Sequence, residues 1–321
     1  MKKRQIGLWD DAVLQWGEAA KITVEDLNKA QAEMEVKSPL SGSKEKLMKH
    51  KIEWLNPPGY TGATWNPIAG CTHAGSAGCD NCYAARTAHS LSTRFGSEKY
   101  HGLARKAGKR HAWTGNIHIA DEVIKKPLIW RKPRFIFCIS MGDLFHDVVM
   151  DVDRSRVMET MRNTPQHRYI ILTKRPENAR EYFRSFAPAP ENLILGLSVA
   201  DHLDMEKVDI LTSTDVNWRC LSYEPAIGPL NLNTFTELTG IDWFIAGGET
   251  GPVSRPSKAD YFRQSRDWCH AHGIPFFFKQ WGDHDENGQK VGKATAGRML
   301  EGVLHDYYPT AFLSRHQPDI A

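Results

Sequence analysis

The sequence predicts an α/β fold, a full or partial (β/α) barrel, and two observations lead to this prediction. From Trp54 onward, short apolar runs alternate with stretches of helical periodicity, as in β-α units around a parallel sheet. About six to eight such alternations favour a barrel over a doubly wound sheet. Nearly every apolar run also ends in polar, charged or glycine-rich residues, and barrels gather functional groups at the carboxyl ends of their strands.

The individual elements follow from the same alternation. The predicted strands are 63–66, 116–119, 134–140, 168–173, 192–199, 218–223, 242–246 and 275–279. The predicted helices cover 80–95, 152–164, 176–186, 203–212 and 258–272. We therefore expect the barrel to span residues 54–282, and residues 283–321 to form a C-terminal tail packed on it.

Residues 1–53 are expected to form a helical N-terminal extension and linker. The stretch IGLWDDAVLQWGEAAK has apolar residues at the three- and four-residue spacing of a helix. In ITVEDLNKAQAEMEV, Thr23 is a candidate N-cap, with Glu25 and Asp26 in the first turn. The basic, polar stretch KSPLSGSKEKLMKHK offers few core residues, which is typical of a linker with a charged helix.

The composition is that of a folded, water-soluble chain. Of its 321 residues, 41% are hydrophobic and 25% charged, which excludes disordered and fibrous classes. No run approaches the roughly 18 apolar residues of a membrane span, and MKKRQIGLWDD lacks the apolar segment of a signal peptide. We therefore expect a cytoplasmic protein without a membrane partner. The net charge of +3 neither requires nor excludes nucleic acid as a partner.

Three of the six cysteines are clustered, which indicates a metal site. Cys71, Cys79 and Cys82 form the pattern C-x7-C-x2-C, whereas the other three are scattered. Clustered thiolates in a reducing compartment select zinc or iron–sulfur centres. Three thiolates can hold a 4Fe-4S cluster and leave one iron open. Alternatively, His73 completes a zinc site, although its one-residue gap from Cys71 is shorter than the usual ligand spacing of about two to four residues.

Polar side chains recur where the predicted strands end, and a barrel would bring them to one mouth. Asp143 suits an ammonium group or a pair of hydroxyls, although Asp is also a favoured helix N-cap. In GGETG (247–251), the glycines would let the backbone approach a ligand, with Glu249 and Arg255 contacting substrate, unless the segment is only a tight turn. The strand-end residues are Asp143, Lys174, Ser198, Glu224, Glu249 and Lys279.

Cations near the strand ends favour an anionic substrate, because Arg binds phosphate or carboxylate bidentately and Lys acts as a point charge. The alternative interpretation for each of these cations, taken alone, is a solvated charge in a loop. The segments 105–113 (RKAGKRHAW) and 125–134 (KKPLIWRKPR) interleave basic and aromatic residues as nucleic-acid surfaces do, although solvated faces also carry charge runs. The four cations are Lys174, Arg175, Arg255 and Lys279.

Several motifs resemble one family. The segments TWNPIAGCTHAGSAGCDNCYA, LTKRPEN, LSYEPAIGPL, AGGETGPVSRP and PFFFKQWG, with the tail AGRMLEG, are similar to those of the phage-encoded three-Cys-motif proteins, relatives of the radical SAM enzymes. This resemblance covers about residues 54–308.

A looser resemblance is to the spore photoproduct lyase-like branch of radical SAM enzymes. In that branch a three-cysteine loop ending in an aromatic residue precedes strands that end in an Asp motif, in Thr-Lys and in Glu-Pro. Here CY (82–83), SMGD (140–143), TK (173–174) and EP (224–225) follow in that order. The seven-residue gap departs from the C-x3-C-x2-C spacing of most radical SAM enzymes.

The resemblance implies a barrel of the radical SAM or TIM-like type, together with its cofactors. Cys71, Cys79 and Cys82 would ligate three irons of a 4Fe-4S cluster, and the fourth iron would bind S-adenosylmethionine. By strand order, Asp143, Ser198 and Glu224 would contact that cofactor. Cluster reduction would give a 5′-deoxyadenosyl radical that abstracts hydrogen from a substrate. The expected substrate contacts are Lys174, Arg175, Glu249, Arg255 and Lys279.

The function expected from the sequence is radical modification of a nucleotide or nucleic-acid base, in the setting of phage DNA modification. The expected partners are a nucleotide or DNA substrate, a partner protein and an external reductant, and a phage-encoded chain would act in the host cytoplasm. No residue is assigned a catalytic role. The alternative hypothesis is a non-catalytic, zinc-stapled (Cys3His) module that binds nucleic acid or protein. A third is a cluster protein that binds S-adenosylmethionine without radical chemistry, or acts only with a partner.

Overall fold

The central element is a seven-stranded, all-parallel sheet in a computed structural model that describes residues 51–232 and 240–314. In chain order the strands are β1 (Thr61–Trp65), β2 (Ile68–Ala69), β3 (Ala104–Ala107), β4 (Arg110–Trp113), β5 (His118–Ile119), β6 (Arg134–Cys138), β7 (Arg168–Thr173), β8 (Leu193–Val199), β9 (Trp218–Tyr223), β10 (Trp243–Gly247) and β11 (Phe276–Gln280). The large sheet has the order β1-β6-β7-β8-β9-β10-β11, in which each strand lies beside the next one of the set. This sequential order is that of a β/α barrel.

The helices connect these parallel strands. They are α1 (Tyr83–Phe95), α2 (Asp121–Ile124), α3 (Asp151–Arg162), α4 (Pro176–Ser185), α5 (Val208–Thr212), α6 (Ala259–Ala271), α7 (Lys293–Ala296) and α8 (Thr310–Ser314). Short 3-10 turns cover Glu53–Leu55, Ala77–Cys79, Glu98–Tyr100, Lys126–Ile129 and Asp204–Lys207. Parallel strands require such crossover connections, and α3, α4, α5 and α6 each lie between two neighbouring strands of the sheet. None of the described helices has the length and apolarity needed to cross a membrane.

Aromatic contacts show that the sheet curls into a partial barrel. Phe135 on β6 and Trp243 on β10 are separated by three strands. In a flat sheet, four strand spacings would place them about 19 Å apart, yet their ring centroids are 6.0 Å apart. Within the described part of the chain, β1 and β11 are the edges of the sheet, so the barrel is open between them. The predicted fold class is confirmed, in its partial form.

The barrel interior is apolar, and one residue outside the strands fills part of it. Alternate residues of the strands, among them Phe137 and Ile245, form one buried cluster inside the curl. Trp54 belongs to the same cluster and is 1% exposed. Its ring lies tilted 5.1 Å from that of Phe137 and edge-on 6.1 Å from that of Trp243. The turn Glu53–Leu55 also contacts β1, β6 and β11, so it covers the open side of the barrel.

The outer faces of the strands pack against the helices. Met158 of α3, Tyr182 of α4, Leu211 of α5 and Phe262 of α6 are all buried in one cluster with outward-facing strand residues. Each Å² of apolar area buried in this layer stabilises the fold by about 25 cal/mol. The helices therefore stabilise the curved sheet by packing on its outer face.

The C-terminal helix closes the amino ends of the strands. The backbone carbonyl of Phe312 accepts a hydrogen bond from Nε of Arg168 at 3.0 Å, and that of Leu313 accepts one from the Tyr60 hydroxyl at 2.8 Å. The Phe312 ring lies 5.5 Å from that of Trp218, the first residue of β9. With this end covered, the carboxyl ends of the strands form the accessible mouth.

The strand predictions are confirmed except for one. Two predicted strands coincide with β7 and β9, and the remaining members of the sheet agree to within two residues at each end. The predicted strand 116–119 is wrong as a sheet member: β5 has two residues and pairs antiparallel with β2. Since α2 begins at Asp121, this segment is too short to pair along a full strand of the large sheet. The helices expected within residues 1–50 lie outside the described residues.

Candidate functional site

A cavity of about 590 Å³ opens at the carboxyl ends of the strands, between the barrel and the cysteine loop (residues 70–82). Its volume is in the range that holds a cofactor or a drug-sized ligand. Residues that are far apart in sequence meet there because parallel strands end on the same edge of the sheet. Ten of the eleven predicted site residues line it: Cys71, Cys79, Cys82, Asp143, Lys174, Arg175, Ser198, Glu224, Glu249 and Lys279.

The cysteine loop is held close to the barrel by short turns. Cys71 follows β2, Cys79 ends the 3-10 turn Ala77–Cys79, and Cys82 occupies the N-cap position of α1. The backbone N–H of Cys82 donates to the carbonyl of Cys79 at 3.3 Å, so the C-x2-C pair lies within one turn. All three cysteines are partly exposed, whereas Cys138, Cys220 and Cys269 are buried.

Gly70 fixes the backbone at the start of the cysteine loop. Its φ of 105° is in the region that favours glycine, and a Cβ atom there would lie 2.2 Å from the backbone oxygen of Asn116. Its N–H donates to the carbonyl of Met141 at 3.0 Å. The backbone before Cys71 is therefore fixed against the segment that follows β6.

Ser76 anchors the middle of the loop to β8. Its hydroxyl is buried and donates to a carboxylate oxygen of Asp204 at 2.7 Å, while accepting from the N–H of Gly78 at 3.2 Å. The same Asp204 oxygen accepts from the N–H of Ala200, just beyond β8, at 2.8 Å. One buried carboxylate thus joins the cysteine loop to the end of a barrel strand.

Arg255 is the one predicted site residue that does not line the cavity, and it anchors the loop instead. Its guanidinium donates to both carboxylate oxygens of Glu249, at 2.6 and 3.0 Å, to Asp80 at 3.0 Å and to the carbonyl of Ala77 at 2.8 Å. Glu249 is 5% exposed and also accepts from the Asn81 side chain at 3.0 Å. This Arg255–Glu249 pair joins the GGETG segment to the cysteine loop.

The GGETG segment itself lies against the end of β11. A Cβ atom on Gly248 would lie 1.8 Å from the backbone oxygen of Trp281, so only glycine permits this approach. The N–H of Gly248 donates to the carbonyl of Gln280 at 2.9 Å, and the Gln280 amide donates to the carbonyl of Gly248 at 3.0 Å. The predicted close backbone approach is therefore made to the chain's own β11.

A charged network lies beside Cys71. Asp143 accepts from Arg175 at 3.1 Å, from the Thr173 hydroxyl at 2.8 Å and from the N–H of Phe145 at 3.0 Å. Arg175 also donates to Cys71 Sγ at 3.6 Å and to the Thr72 hydroxyl at 2.7 Å. Asp143 and Arg175 are both at least nine-tenths buried. Asp143 therefore holds Arg175 against the loop. It does not act as the helix N-cap expected as its alternative role, because the next described helix, α3, begins only at Asp151.

The surroundings of Cys71 keep its thiol protonated in the absence of a metal. Burial, with a smaller contribution from Asp143, raises the pKa of Cys71 to about 12, while Arg175 acts in the opposite direction. A bound metal cation reverses this balance because it binds the thiolate and releases the proton. The Arg175 contact would then lie against a negatively charged sulfur.

Glu224 and Lys279 form a second charged group, on the opposite wall. Lys279 Nζ lies 2.7 Å from Glu224 Oε1, and the other carboxylate oxygen accepts from Trp54 Nε1 and from the Ser222 hydroxyl, both at 3.3 Å. Of the cations predicted to hold an anion, Lys174 alone has no ion pair within residues 51–232 and 240–314 and still lines the cavity. The cavity therefore offers a free ammonium and a paired carboxylate at its rim.

The position of His73 does not support it as a fourth metal ligand beside the three cysteines. Its Nδ1 accepts from the N–H of Gly75 at 3.1 Å, and its Nε2 lies 3.2 Å from Asp80 Oδ1, so both ring nitrogens have partners. Among the described residues, no group of three His, Cys, Asp or Glu side chains is close enough to hold one metal ion. Zinc requires ligands that converge on one point. A 4Fe-4S cluster binds each cysteine through a different iron, so it fits this donor set better.

Two parts of the site are not among the residues predicted from the sequence. Trp54 contacts Glu224, but nothing in the sequence distinguishes it as a site residue from its apolar neighbours Ile52 and Leu55. The hairpin of β3 and β4 also lines the cavity, through Arg110, His111 and Trp113 among others. The sequence indicates this segment as a basic and aromatic surface but not as strands, since its basic residues obscure the alternation of a strand.

The fold and the site define a parallel α/β partial barrel of the radical SAM and TIM type, with a three-cysteine loop at its mouth. Residues 49–309 match the family described as "Protein of unknown function (DUF5131)", and the chain belongs to this family. Neither a curated protein nor a solved structure matches it.

Proposed function

We propose that the chain is a radical SAM-like 4Fe-4S enzyme that modifies a nucleotide or nucleic-acid base. One observation carries the proposal: the three thiols of C-x7-C-x2-C share a cavity with the strand-end side chains Ser198 and Glu224 at the carboxyl mouth of an open parallel barrel. Cofactor and substrate sites of such barrels lie at this mouth.

In this proposal Cys71, Cys79 and Cys82 hold the cluster, and Ser198 and Glu224 contact S-adenosylmethionine. The cluster, when bound, supplies the electron that cleaves S-adenosylmethionine to a carbon-centred radical able to abstract hydrogen. An external reductant provides that electron.

The chain's own side chains position and shield the reacting groups. Asp143 keeps Arg175 beside Cys71, so that a donor faces the first thiolate. Trp54 and Phe137 form an apolar wall of the cavity, which excludes water from a reactive radical. Lys174 provides a free cation for a phosphate of the substrate.

The test is iron and acid-labile sulfide analysis of anaerobically purified protein. We expect about four irons and four sulfides per chain, and loss of most of both in Cys79→Ala. The matched control is Cys269→Ala, which removes a buried thiol from α6, away from the cavity, and should leave the iron content unchanged. His73→Ala should also retain iron.

Two results would contradict the proposal. One zinc per chain without sulfide, lost in His73→Ala, would support the Cys3His zinc module instead. Iron that survives Cys79→Ala would show that the loop does not hold it.

A further inference from the structure

The segment between the cysteine loop and β6 carries the chain's excess of positive charge. Residues 83–119 contain seven Arg and Lys side chains and a single carboxylate, Glu98, whereas the whole chain has 41 basic and 38 acidic residues. Outside this segment acidic residues therefore outnumber basic ones. Residues 83–119 thus carry a net charge of +6 beside the site, and the basic segment 125–134 is a second positive region of the chain.

The centre of this charge is the hairpin of β3 and β4, residues 104–113, which we call the cationic hairpin. The two strands pair antiparallel with Ala107 opposite Arg110, and Gly108 lies in the turn with a φ of 61°. Four cations of the cationic hairpin are exposed, and their side chains have no hydrogen bond or ion pair within the described parts of the chain. They are Arg105, Lys106, Lys109 and Arg110.

The cationic hairpin is continuous with the cavity. Arg110, His111 and Trp113 line the cavity together with Tyr83 and Arg86 of α1. Tyr83 is 48% exposed, so its ring is accessible from the mouth. Free cations beside accessible aromatic rings are the combination with which proteins bind single-stranded nucleic acids, because phosphates meet the cations and bases stack on the rings.

We propose that the cationic hairpin binds the sugar–phosphate backbone of a single-stranded nucleic acid and delivers one base to the cavity; this proposal rests on the proposed function and names the substrate of the same site. Arg110 lines the cavity, whereas the other three free cations of the cationic hairpin lie outside it. Four free cations exceed what one mononucleotide phosphate needs, which favours a polymer. A base within a duplex cannot enter a cavity recessed behind a loop unless it leaves the stack, whereas a base of a single strand is already free.

The other basic segment, residues 125–134, is a matched control. It lies at the amino end of β6, away from the mouth, and includes four exposed cations. Lys126 and Arg134 lie over the Trp130 ring, 5.9 and 4.7 Å from its centroid, so this aromatic residue is already covered. The exposed cations are Lys125, Lys126, Arg131 and Lys132.

The experiment measures fluorescence polarisation of a labelled 15-nucleotide single-stranded DNA between about 50 and 200 mM salt. It compares the wild-type chain with two quadruple variants, Arg105→Ala/Lys106→Ala/Lys109→Ala/Arg110→Ala and Lys125→Ala/Lys126→Ala/Arg131→Ala/Lys132→Ala. We expect the hairpin variant to bind at least about tenfold more weakly, with a salt slope smaller by up to about three, at roughly 0.7 per lost phosphate contact. The control variant should bind within about twofold of wild type, and circular dichroism melting verifies that both variants fold.

Two competitors test whether the surface prefers a polymer over a mononucleotide and a single strand over a duplex. An unlabelled duplex of the same sequence and a mononucleotide at equal phosphate concentration should both displace the labelled strand poorly. Equal loss of binding in the two variants, no binding by wild type, or equal displacement by the duplex or the mononucleotide would overturn the proposal.

Iron and sulfide measured on the same preparations separate this proposal from the proposed function. Iron-containing protein whose DNA binding does not depend on the cationic hairpin would overturn the hairpin proposal and leave the cluster in place. If the chain takes up no iron but its DNA binding depends on the cationic hairpin, the result would support the nucleic-acid surface and contradict the proposed radical SAM-like function.

Discussion

Asp143→Ala is expected to lower the free energy of unfolding of the metal-free protein by about 3 to 5 kcal/mol, the cost of leaving a buried charge without its partner. Arg175 is 9% exposed and would lose its nearest carboxylate. Thr173 and the N–H of Phe145 would lose their acceptor in the same step. The second carboxylate near Arg175, Asp147, is exposed and 3.8 Å away, so it compensates little.

The measurement is the urea midpoint of unfolding, with Arg175→Ala and the double variant completing a double-mutant cycle. Because the two side chains are in direct contact, we expect a coupling energy of about 1 to 3 kcal/mol. Effects that add to within about 0.5 kcal/mol would contradict the account, since they would mean that the pair does not interact in solution.

Arg255→Ala is expected to lower the free energy of unfolding by about 2 to 3 kcal/mol, less than a fully buried pair because the Arg255 side chain is partly exposed. Its exposed fraction is 27%, against 4% for that of Glu249. The substitution leaves the buried Glu249 carboxylate with only the Asn81 side chain and one backbone N–H as donors. It also removes the Arg255 donor from Asp80 and from the carbonyl of Ala77, so the loop that carries Cys79 and Cys82 loses its outer anchor.

This second variant is measured by urea unfolding and by iron content after reconstitution. The control is Arg184→Ala, which removes a similar ion pair with Glu181 on the exposed face of α4 and should cost less than about 1 kcal/mol. We expect Arg255→Ala to retain less iron than Arg184→Ala. Equal stability and equal iron content in the two variants would show that the Arg255–Glu249 pair does not hold the loop.

The strands were predictable because each is an apolar run bounded by turn residues. RYIILT and WRCLSY are buried along most of their length and coincide with β7 and β9. The curl of the sheet was predictable from the number of alternations, but whether the barrel is full or partial was not, because closure depends on long-range contacts such as the one between Phe135 and Trp243. The role of Trp54 as an interior residue could not be found, since nothing local distinguishes it from a surface tryptophan.

The residues that line the site were predictable from the sequence, but their hydrogen-bond and ion-pair partners were not. Strand-end residues converge on one cavity because parallel strands end together, a rule that needs no side-chain detail. Which charge pairs with which depends on distances of a few ångströms that the sequence does not contain. Arg255 was therefore predicted as a substrate contact, whereas in the structure its guanidinium is occupied by Glu249 and Asp80.

Electron paramagnetic resonance of anaerobically reconstituted protein, reduced with dithionite with and without S-adenosylmethionine, shows whether the three cysteines hold a cluster with one open iron. We expect a reduced cluster signal that changes when S-adenosylmethionine is added, because a three-cysteine ligand set would leave one iron open. A cluster signal that is indifferent to S-adenosylmethionine, or protein with zinc and no sulfide, would contradict this expectation.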